Sequence, residues 1–443
     1  MRRIGSALWL VTGLGIIFFF FATGWVEPSF GATEERPPGL TLDGAVRLAL
    51  ERNVDVLVSR FGLDRAEANR LLATAYPNPE YQFSQEGLSG GFERETNNIQ
   101  YHRIEQTIEG FGTRRHRRIA ADAGLDEARA EFQDTVRLLV FELKKTFYEA
   151  LLAHANLKAA EANLVRFRDV VAITDLRVQH GEIPEADLIR AQVEALRFED
   201  EVASADLELM GAKTRLALLV GLEGPVDALE IIGSLDQDSD DATPGEAELG
   251  LDRLIELAEV HRPDLAAAQA RQNRADSEVK LNRALRYPNL TFGFQSEQSR
   301  GVQGNDDLST FGLGLGVTLP IWNQNQGGIA LAQADLMQAE ARVRQRDQVI
   351  RAEIESALNQ FRVSAERVEA VRTRLLPRVE ESRKIAEALY EEGATNLLQL
   401  LDAQRAFNEA RLRSHQILFE YQVSRSLLDR AVGAELTPLG AHQ

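Results

Sequence analysis

Phe311–Leu319 reads FGLGLGVTL. Every second residue is large and apolar (Phe311, Leu313, Leu315, Val317, Leu319), and between them stand Gly312, Gly314, Gly316 and Thr318. Side chains of an extended strand point alternately to its two faces, so this stretch is a strand with one apolar and one nearly bare face. Upstream of the polar loop Ser296–Ser309, Leu290, Phe292 and Phe294 alternate with Thr291, Gly293 and Gln295 in the same way. In the first half of the chain Tyr81 and Phe83 alternate with Gln82 and Ser84, and beyond a Gly/Asn/Glu-rich loop Ile99–Ile108 is a further extended stretch with poorer alternation. The reading is two hairpins, with strands at about 79–88 and 97–108, and at about 290–298 and 309–320.

Strands of about ten residues are long enough to cross a hydrocarbon layer when tilted. The Gly, Gln, Thr and Ser face suits a water-filled lumen, and the Phe and Leu face suits lipid. In lipid every edge N–H and C=O must be paired. Four strands are too few for a hollow barrel, for which about eight is the smallest usual number. The barrel must then be shared between copies of the chain. The other reading of the same alternation is a soluble sheet packed on helices.

Outside these strands the pattern is helical. From Arg114 to Leu176 there is no proline and only one glycine, Gly124, while Val136, Leu139, Val140, Leu143 and Phe147 recur at three- and four-residue steps. An unbroken helix of ~60 residues is ~90 Å long, which is coiled-coil or array material. His180-Gly181-Glu182-Ile183-Pro184 ends it, and Pro184 suits the first turn of a helix running to about Val220. A second long helix is expected from about Gly328, with a kink at Pro377, to Tyr390. The turn at Glu391-Glu392-Gly393 then leads to a returning helix that ends near Val432.

The chain therefore says nearly everything twice, at a spacing of roughly 211 residues. Ala45–Asp55 (AVRLALERNVD) returns as Leu254–Asp264 (LIELAEVHRPD), Tyr76-Pro77-Asn78 as Tyr287-Pro288-Asn289, and Gly181 with Leu188, Ala191 and Gln192 as Gly393 with Leu400, Ala403 and Gln404. The layout is a first repeat over 33–232 with a hairpin tip at about 180–187, and a second over 251–433 with a tip at about 391–399. Between them, Gly233–Gly250 is acidic, small and proline-bearing and reads as an exposed linker; 434–443 is a tail. Arg2 and Arg3 precede the apolar run Leu8–Ala22, and Ser29 and Gly31 have cleavage-site spacing, so 1–32 reads as a signal peptide. The run is shorter than the ~20 residues of a spanning helix, and the alternative to cleavage is a retained anchor.

A net charge of −18 excludes a nucleic-acid partner, because phosphate binding needs a basic surface. The 443 residues contain no cysteine, hence no disulfide or thiolate metal site. The seven histidines (102, 116, 154, 180, 261, 415 and 442) form no i,i+4 pair, and there are three methionines, so no metal site and no cofactor are expected. There is no nucleophile elbow, phosphate loop or zinc-hydrolase motif, and an enzyme is not expected.

With these residues in hand, the chain resembles the outer-membrane efflux protein family typified by TolC, and is most similar to its CusC/CzcC heavy-metal branch. The resemblance covers Leu42 to Gly433 and rests on Leu42–Asp55, Tyr76–Pro79, Glu105–Arg115 (EQTIEGFGTRR), Leu319–Gly327 (LPIWNQNQG) and Leu389–Gln404 (LYEEGATNLLQLLDAQ). It implies a mainly α fold with a small β part in a homotrimer. Four strands per protomer would complete a twelve-stranded outer-membrane barrel, continued by antiparallel coiled-coil helices as a periplasmic α-barrel. It implies a passive exit duct for metal cations or drugs in the outer membrane of a Gram-negative bacterium, docked on a periplasmic adaptor and through it on an inner-membrane pump of RND type. Many ducts of the metal branch carry a lipid on an N-terminal cysteine; this chain has none, so attachment falls to the barrel.

By the same resemblance the tips are the entrance gate and the adaptor-docking surface, with Gly181, Pro184 and Gly393 at the hairpin turns. Asp187 matches an acidic residue that ties neighbouring coils in the closed state, Tyr390 its aromatic partner, and Asp402 an acidic residue of the constriction ring. Thr395 stands where the family has the arginine of that network, and Gln399 where it has a second ring carboxylate. The plainer reading is that Asp187 decorates an exposed helix and Asp402 pairs with Arg405. A carboxylate repeated around a narrow pore attracts cations, so a cation-preferring gate at Asp402 is expected. The rival for the whole chain is a soluble periplasmic coiled-coil adaptor or scaffold, which has no use for four lipid-length strands.

Overall fold

The computed structural model describes residues 39–86, 98–222, 224–226, 229–236, 250–300 and 308–436. The expected signal peptide 1–32, the hairpin loops, most of the expected linker and the end of the tail lie outside them. The first half consists of α1 (Leu42–Arg52), α2 (Val54–Thr74), β1 (Glu80–Glu86), β2 (Asn98–Ile108), α3 (Thr113–Gln179) and α4 (Glu185–Val220). The second repeats the order: α5 (Leu251–His261), α6 (Pro263–Ala284), β3 (Leu290–Arg300), β4 (Leu308–Val317), α7 (Gln326–Ala370), α8 (Leu376–Glu391) and α9 (Leu397–Val432). Helix α3 runs 67 residues without a break. Its counterpart is divided, because a π turn, Val371–Leu375, separates α7 from α8. The expected kink at Pro377 is thus a widened turn just ahead of the proline, which sits in the first turn of α8, where its missing N–H costs nothing.

The repeat extends to individual contacts. The Asn53 side chain caps α2 by accepting from the Asp55 and Val56 N–H groups, and its Nδ2 donates to the Leu219 carbonyl at 2.9 Å. Arg262, its counterpart, donates to the Ala431 carbonyl at 2.8 Å. Gly221 ends α4 at φ +70°, and a Cβ there would stand 3.0 Å from the Arg52 carbonyl oxygen; Gly433 ends α9 at φ +83°, equally close to that of His261. Only glycine meets both demands.

The four strands form one antiparallel sheet in the order β1-β2-β3-β4. The central β2–β3 pairing joins the two halves, with Ile104 opposite Phe294 and Gln106 opposite Phe292. β3 extends two residues beyond the expected end, to Arg300, and β4 stops at Val317 rather than at 320. Beyond it the Ile321 N–H turns back to the Leu319 carbonyl, and Pro320 has no N–H to give a ladder.

Three apolar clusters hold the helices. Leu143, Phe147, Leu216 and Val220 pack with Ala45 and Ala49. Leu254, Ile350, Ile354, Tyr421 and Val432 form the matching cluster of the second half. The third lies near the tips and joins Phe167 and Phe198 to Tyr390, Leu397 and Leu400. Each fully buried side chain of this size contributes about 1.5–3 kcal/mol, and Phe147→Ala would cost about 3–5 kcal/mol. Within the expected linker, Gly233, Ser234, Asp236 and Gly250 are exposed, but Leu235 is buried in the first cluster, and its carbonyl accepts from Gln422 Nε2.

Candidate functional site

The sheet carries two unlike faces. On one, Tyr81 and Phe83 line up across the register with Ile104, Phe294, Leu313 and Phe311. These apolar side chains are exposed, Leu313 by 91%. On the other face Gln82, Arg103, Gln295 and Gly312 form one row, and Glu105, Gly293 and Gly314 the next. Arg103 donates to Gln295 Oε1 at 2.8 Å and stands 3.6 Å from Glu105. One face is built for an apolar medium and the other for water. Among the described residues β1 and β4 pair on one side only, which leaves two open edges.

Next to the sheet α2, α3, α6 and α7 lie side by side: α3 packs against α2 and α6, and α6 against α7. All four line one groove, with a pocket of about 720 Å³ between Ser59, Glu131, Asp264, Arg271, Arg342 and Arg346. A second pocket of about 540 Å³ continues it along α2, α3 and α6. The wall they present is polar and charged. On the free edge of α2, Val54, Val58 and Phe61 are exposed at helical spacing.

The tips close by the same backbone device. In the first, the Gly181 N–H bonds the Val178 carbonyl and the Glu182 N–H bonds that of Arg177; in the second, Gly393 bonds Tyr390 and Ala394 bonds Leu389. Both glycines are left-handed, at φ +73° and +74°. Pro184 is the N-cap of α4 rather than part of its first turn, and Asn396 caps α9 through the Gln399 N–H. Tyr390 is buried and binds α8 to α3. Thr174 gives its hydroxyl proton to the Val170 carbonyl, so the Tyr390 O–H donates to Thr174 Oγ1 at 2.8 Å. Arg177 lies over the Tyr390 ring at 5.4 Å and donates to the Tyr390 carbonyl at 3.1 Å.

The structure brings some of the expected tip residues together and leaves others apart. Thr395 and Gln399 are hydrogen-bonded side chain to side chain. Asp187 reaches neither Tyr390 nor the second tip within one chain; it pairs with Arg190 at 3.2 Å. Asp402 is exposed. It does not pair with Arg405, which binds Glu194 of α4 at 3.0 Å instead, so that plainer reading is overturned by a partner from the other coil. Arg177, Thr174 and the Glu194–Arg405 bridge were not singled out from sequence. Arg177 sits in the last turn of α3, where a basic residue is unremarkable in sequence.

Residues 45–222 and 254–434 both match the family model described as outer membrane efflux protein. The chain belongs to that family. It is an outer membrane efflux channel of the kind used in tripartite export systems in Gram-negative bacteria, a passive conduit for metal or other substrates and not an enzyme. This efflux protein is 28% identical over 441 residues to the cobalt-zinc-cadmium resistance protein CzcC of Cupriavidus metallidurans, across 98% of this chain and 100% of the relative. It is 26% identical to the pyoverdine export outer membrane protein OpmQ of Pseudomonas putida, across 93% and 91%. Its fold is that of crystalline CusC, with a TM-score of 0.74 and 21% identity over 89% of this chain and 92% of that one.

Proposed function

We propose that three copies of this chain complete one channel, each giving four strands to a closed barrel and its helices to a tunnel that reaches a periplasmic adaptor. The open-edged sheet carries this reading. A sheet with an exposed Phe/Leu face and unpaired β1 and β4 edges is untenable alone in lipid, and pairing β4 of one copy with β1 of the next removes every edge. The free apolar stripe of α2 supports the same arrangement for the helical wall. The tips are the gate and the adaptor-docking surface: Gly181, Pro184 and Gly393 shape the turns, Asp187 and Tyr390 tie neighbouring coils in the closed state with Thr395 in place of the family's arginine, and Asp402 rings the opening with Gln399 at the second ring position. An RND-type pump supplies the energy, and metal cations or drugs are the cargo, selected by pump and adaptor.

The chain has no cysteine, so engineered pairs report without background. Ser84→Cys in β1 is combined in turn with Thr310→Cys, Gly312→Cys and Gly314→Cys in β4. One register is expected to oxidise to a covalent trimer in outer membranes, on boiling as well as at room temperature. A monomer in every register would refute the shared barrel. For the gate, Asp402→Asn in a planar bilayer should weaken cation preference and change conductance; an unchanged channel removes Asp402 from the pore.

A further inference from the structure

Arg166 of α3, Arg383 of α8 and Arg411 of α9 stand within electrostatic reach of one another beside Glu380, with Arg383 over Phe407, one turn before Arg411 on α9. Arg383 lies about 12 Å along α8 from its tip end, at ~1.5 Å per residue. It is 8% exposed, its guanidinium covers the Phe407 ring at 4.7 Å, and one Nη donates to Glu387. Its Nε–H is buried without a partner, and so is Nη1 of Arg166. Asn163, one turn before Arg166, has a buried unpartnered amide oxygen that a flip exchanges for an NH2 donor. Burial, then Arg166 and Arg383, push the Arg411 guanidinium below its ordinary range.

Two carboxylates face this group, Glu387 and Glu380, and Lys384 holds Glu380 at 2.9 Å. Four cations thus stand against two anions. A lysine in such a place can shed its proton; arginine keeps its charge. Buried N–H donors on a charged group are costly when left without an acceptor. Guanidinium groups from three helices offer several N–H donors, which suits an ion with several acceptor oxygens better than a single carbonyl or chloride.

We propose that Arg166, Arg383 and Arg411 form a binding site for a small tetrahedral oxyanion, phosphate or sulfate, that fastens α3 to α8 and α9 above the tips. The site is independent of the gate residues and of how many copies assemble. The test is thermal unfolding of the purified full chain in detergent, titrated with sodium phosphate or sulfate against sodium chloride at matched ionic strength. The oxyanions are expected to give a saturable rise of several degrees that chloride does not. Half-buried Arg166→Gln should weaken the apparent affinity at least tenfold and Arg383→Gln should abolish the rise, while Arg405→Gln, in the separate Glu194 bridge, keeps it. Oxyanions that act no better than chloride, or an unchanged response in Arg166→Gln, would overturn the site. If Arg383→Gln does not fold, the parent titration and Arg166→Gln decide the matter alone.

Discussion

Asn53 and Arg262 occupy the same place in the two repeats and fasten the same joint with different chemistry. Asn53 is a neutral cap that also holds the last turn of α4. Arg262 is 1% exposed at its side chain, forms a two-bond fork with Asp264 at 2.6 and 2.9 Å, reaches Glu353 at 2.7 Å, and holds the last turn of α9. Arg137 of α3 and Arg346 of α7 complete the cluster at 3.8 and 3.5 Å from Asp264. Burial pushes the Asp264 carboxyl up, but the arginines outweigh it and hold it below the ordinary carboxylate range. Asp264 sits where α6 meets helices on both sides, whereas its counterpart Asp55 lies on the free edge of α2. A duplicated chain thus keeps its backbone geometry twice and fits the side chains to whatever stands next to each copy.

The largest contrast is in the long helices. Leu139, Leu143, Phe147 and Ala153 of α3 match Ile350, Ile354, Leu358 and Ser364 of α7 in order and burial, but Gly181 matches Gly393 one position further on. The second half carries one residue more between core and tip, and the π turn absorbs it. Deleting Thr373 should restore a regular helix and leave Tyr390 on Thr174. Deleting Ala160 from α3 removes a residue the phase needs: everything beyond turns by about 100°, and Phe167, Thr174 and Arg177 leave their partners. The second deletion should lose the tip altogether, seen as rapid proteolysis there, while the first protects it as the parent does. Equal damage from both would show that the π turn is not a compensated insertion.

The joints give the next largest effect. Arg262→Met takes the two-bond fork away from the buried Asp264 carboxylate, leaving it only the longer contacts to Arg137 and Arg346, and should cost about 3 kcal/mol, against about 1 kcal/mol for Asn53→Ala, which removes a cap. Denaturant midpoints of the two variants check the order. Similar losses would mean that the ion cluster contributes no more than its one bond to the Ala431 carbonyl.

How far the fold was legible follows from the same local chemistry. β4 was plain because its two faces differ completely. β2 was not, since its apolar face includes His102, bonded to the Tyr81 hydroxyl, and Gln106, which donates to the Pro77 carbonyl. The long helices were legible from the lack of proline, but the π turn was not: an extra residue leaves apolar spacing intact on either side, and Pro377 drew attention to the wrong turn. Leu235 looked like linker because its neighbours are polar, and nothing local says that it turns into a core. At the tips, the glycines announced the turns. The bond from Arg177 to Tyr390 did not, because it joins residues far apart in sequence.

A smaller asymmetry lies at Asp429. It stands in α9 where α4 has the buried Ala217, and its carboxylate accepts from the Leu436 N–H. Burial pushes it up to about 6, against the Leu436 hydrogen bond and the charges of Lys144 and Arg425. A raised carboxyl stabilises the folded chain fully below its unfolded value near 4, and that contribution is lost as pH rises through 6. The span is about 2–3 kcal/mol. Asp429→Asn should therefore melt higher than the parent at pH 7.5, with the gap closing towards pH 5. A gap that holds constant with pH would mean that Asp429 is as well solvated as an ordinary carboxylate.

The finest test compares the two tip glycines. Both are left-handed, so alanine at either costs about 1 kcal/mol of backbone strain. Beyond that they differ. A Cβ at Gly181 meets open space, but at Gly393 it would lie 2.7 Å from an Arg177 Nη. Arg177 would have to move, giving up its bond to the Tyr390 carbonyl and its place over the ring. Gly393→Ala should therefore cost about 1 kcal/mol more than Gly181→Ala, and open the channel more often in bilayer recordings. In an Arg177→Gln background the excess should vanish, because the displaced guanidinium is already gone. If Gly393→Ala remains the more damaging with Arg177 removed, the asymmetry of the tips lies in the backbone of the second turn and not in the arginine that reaches across to it.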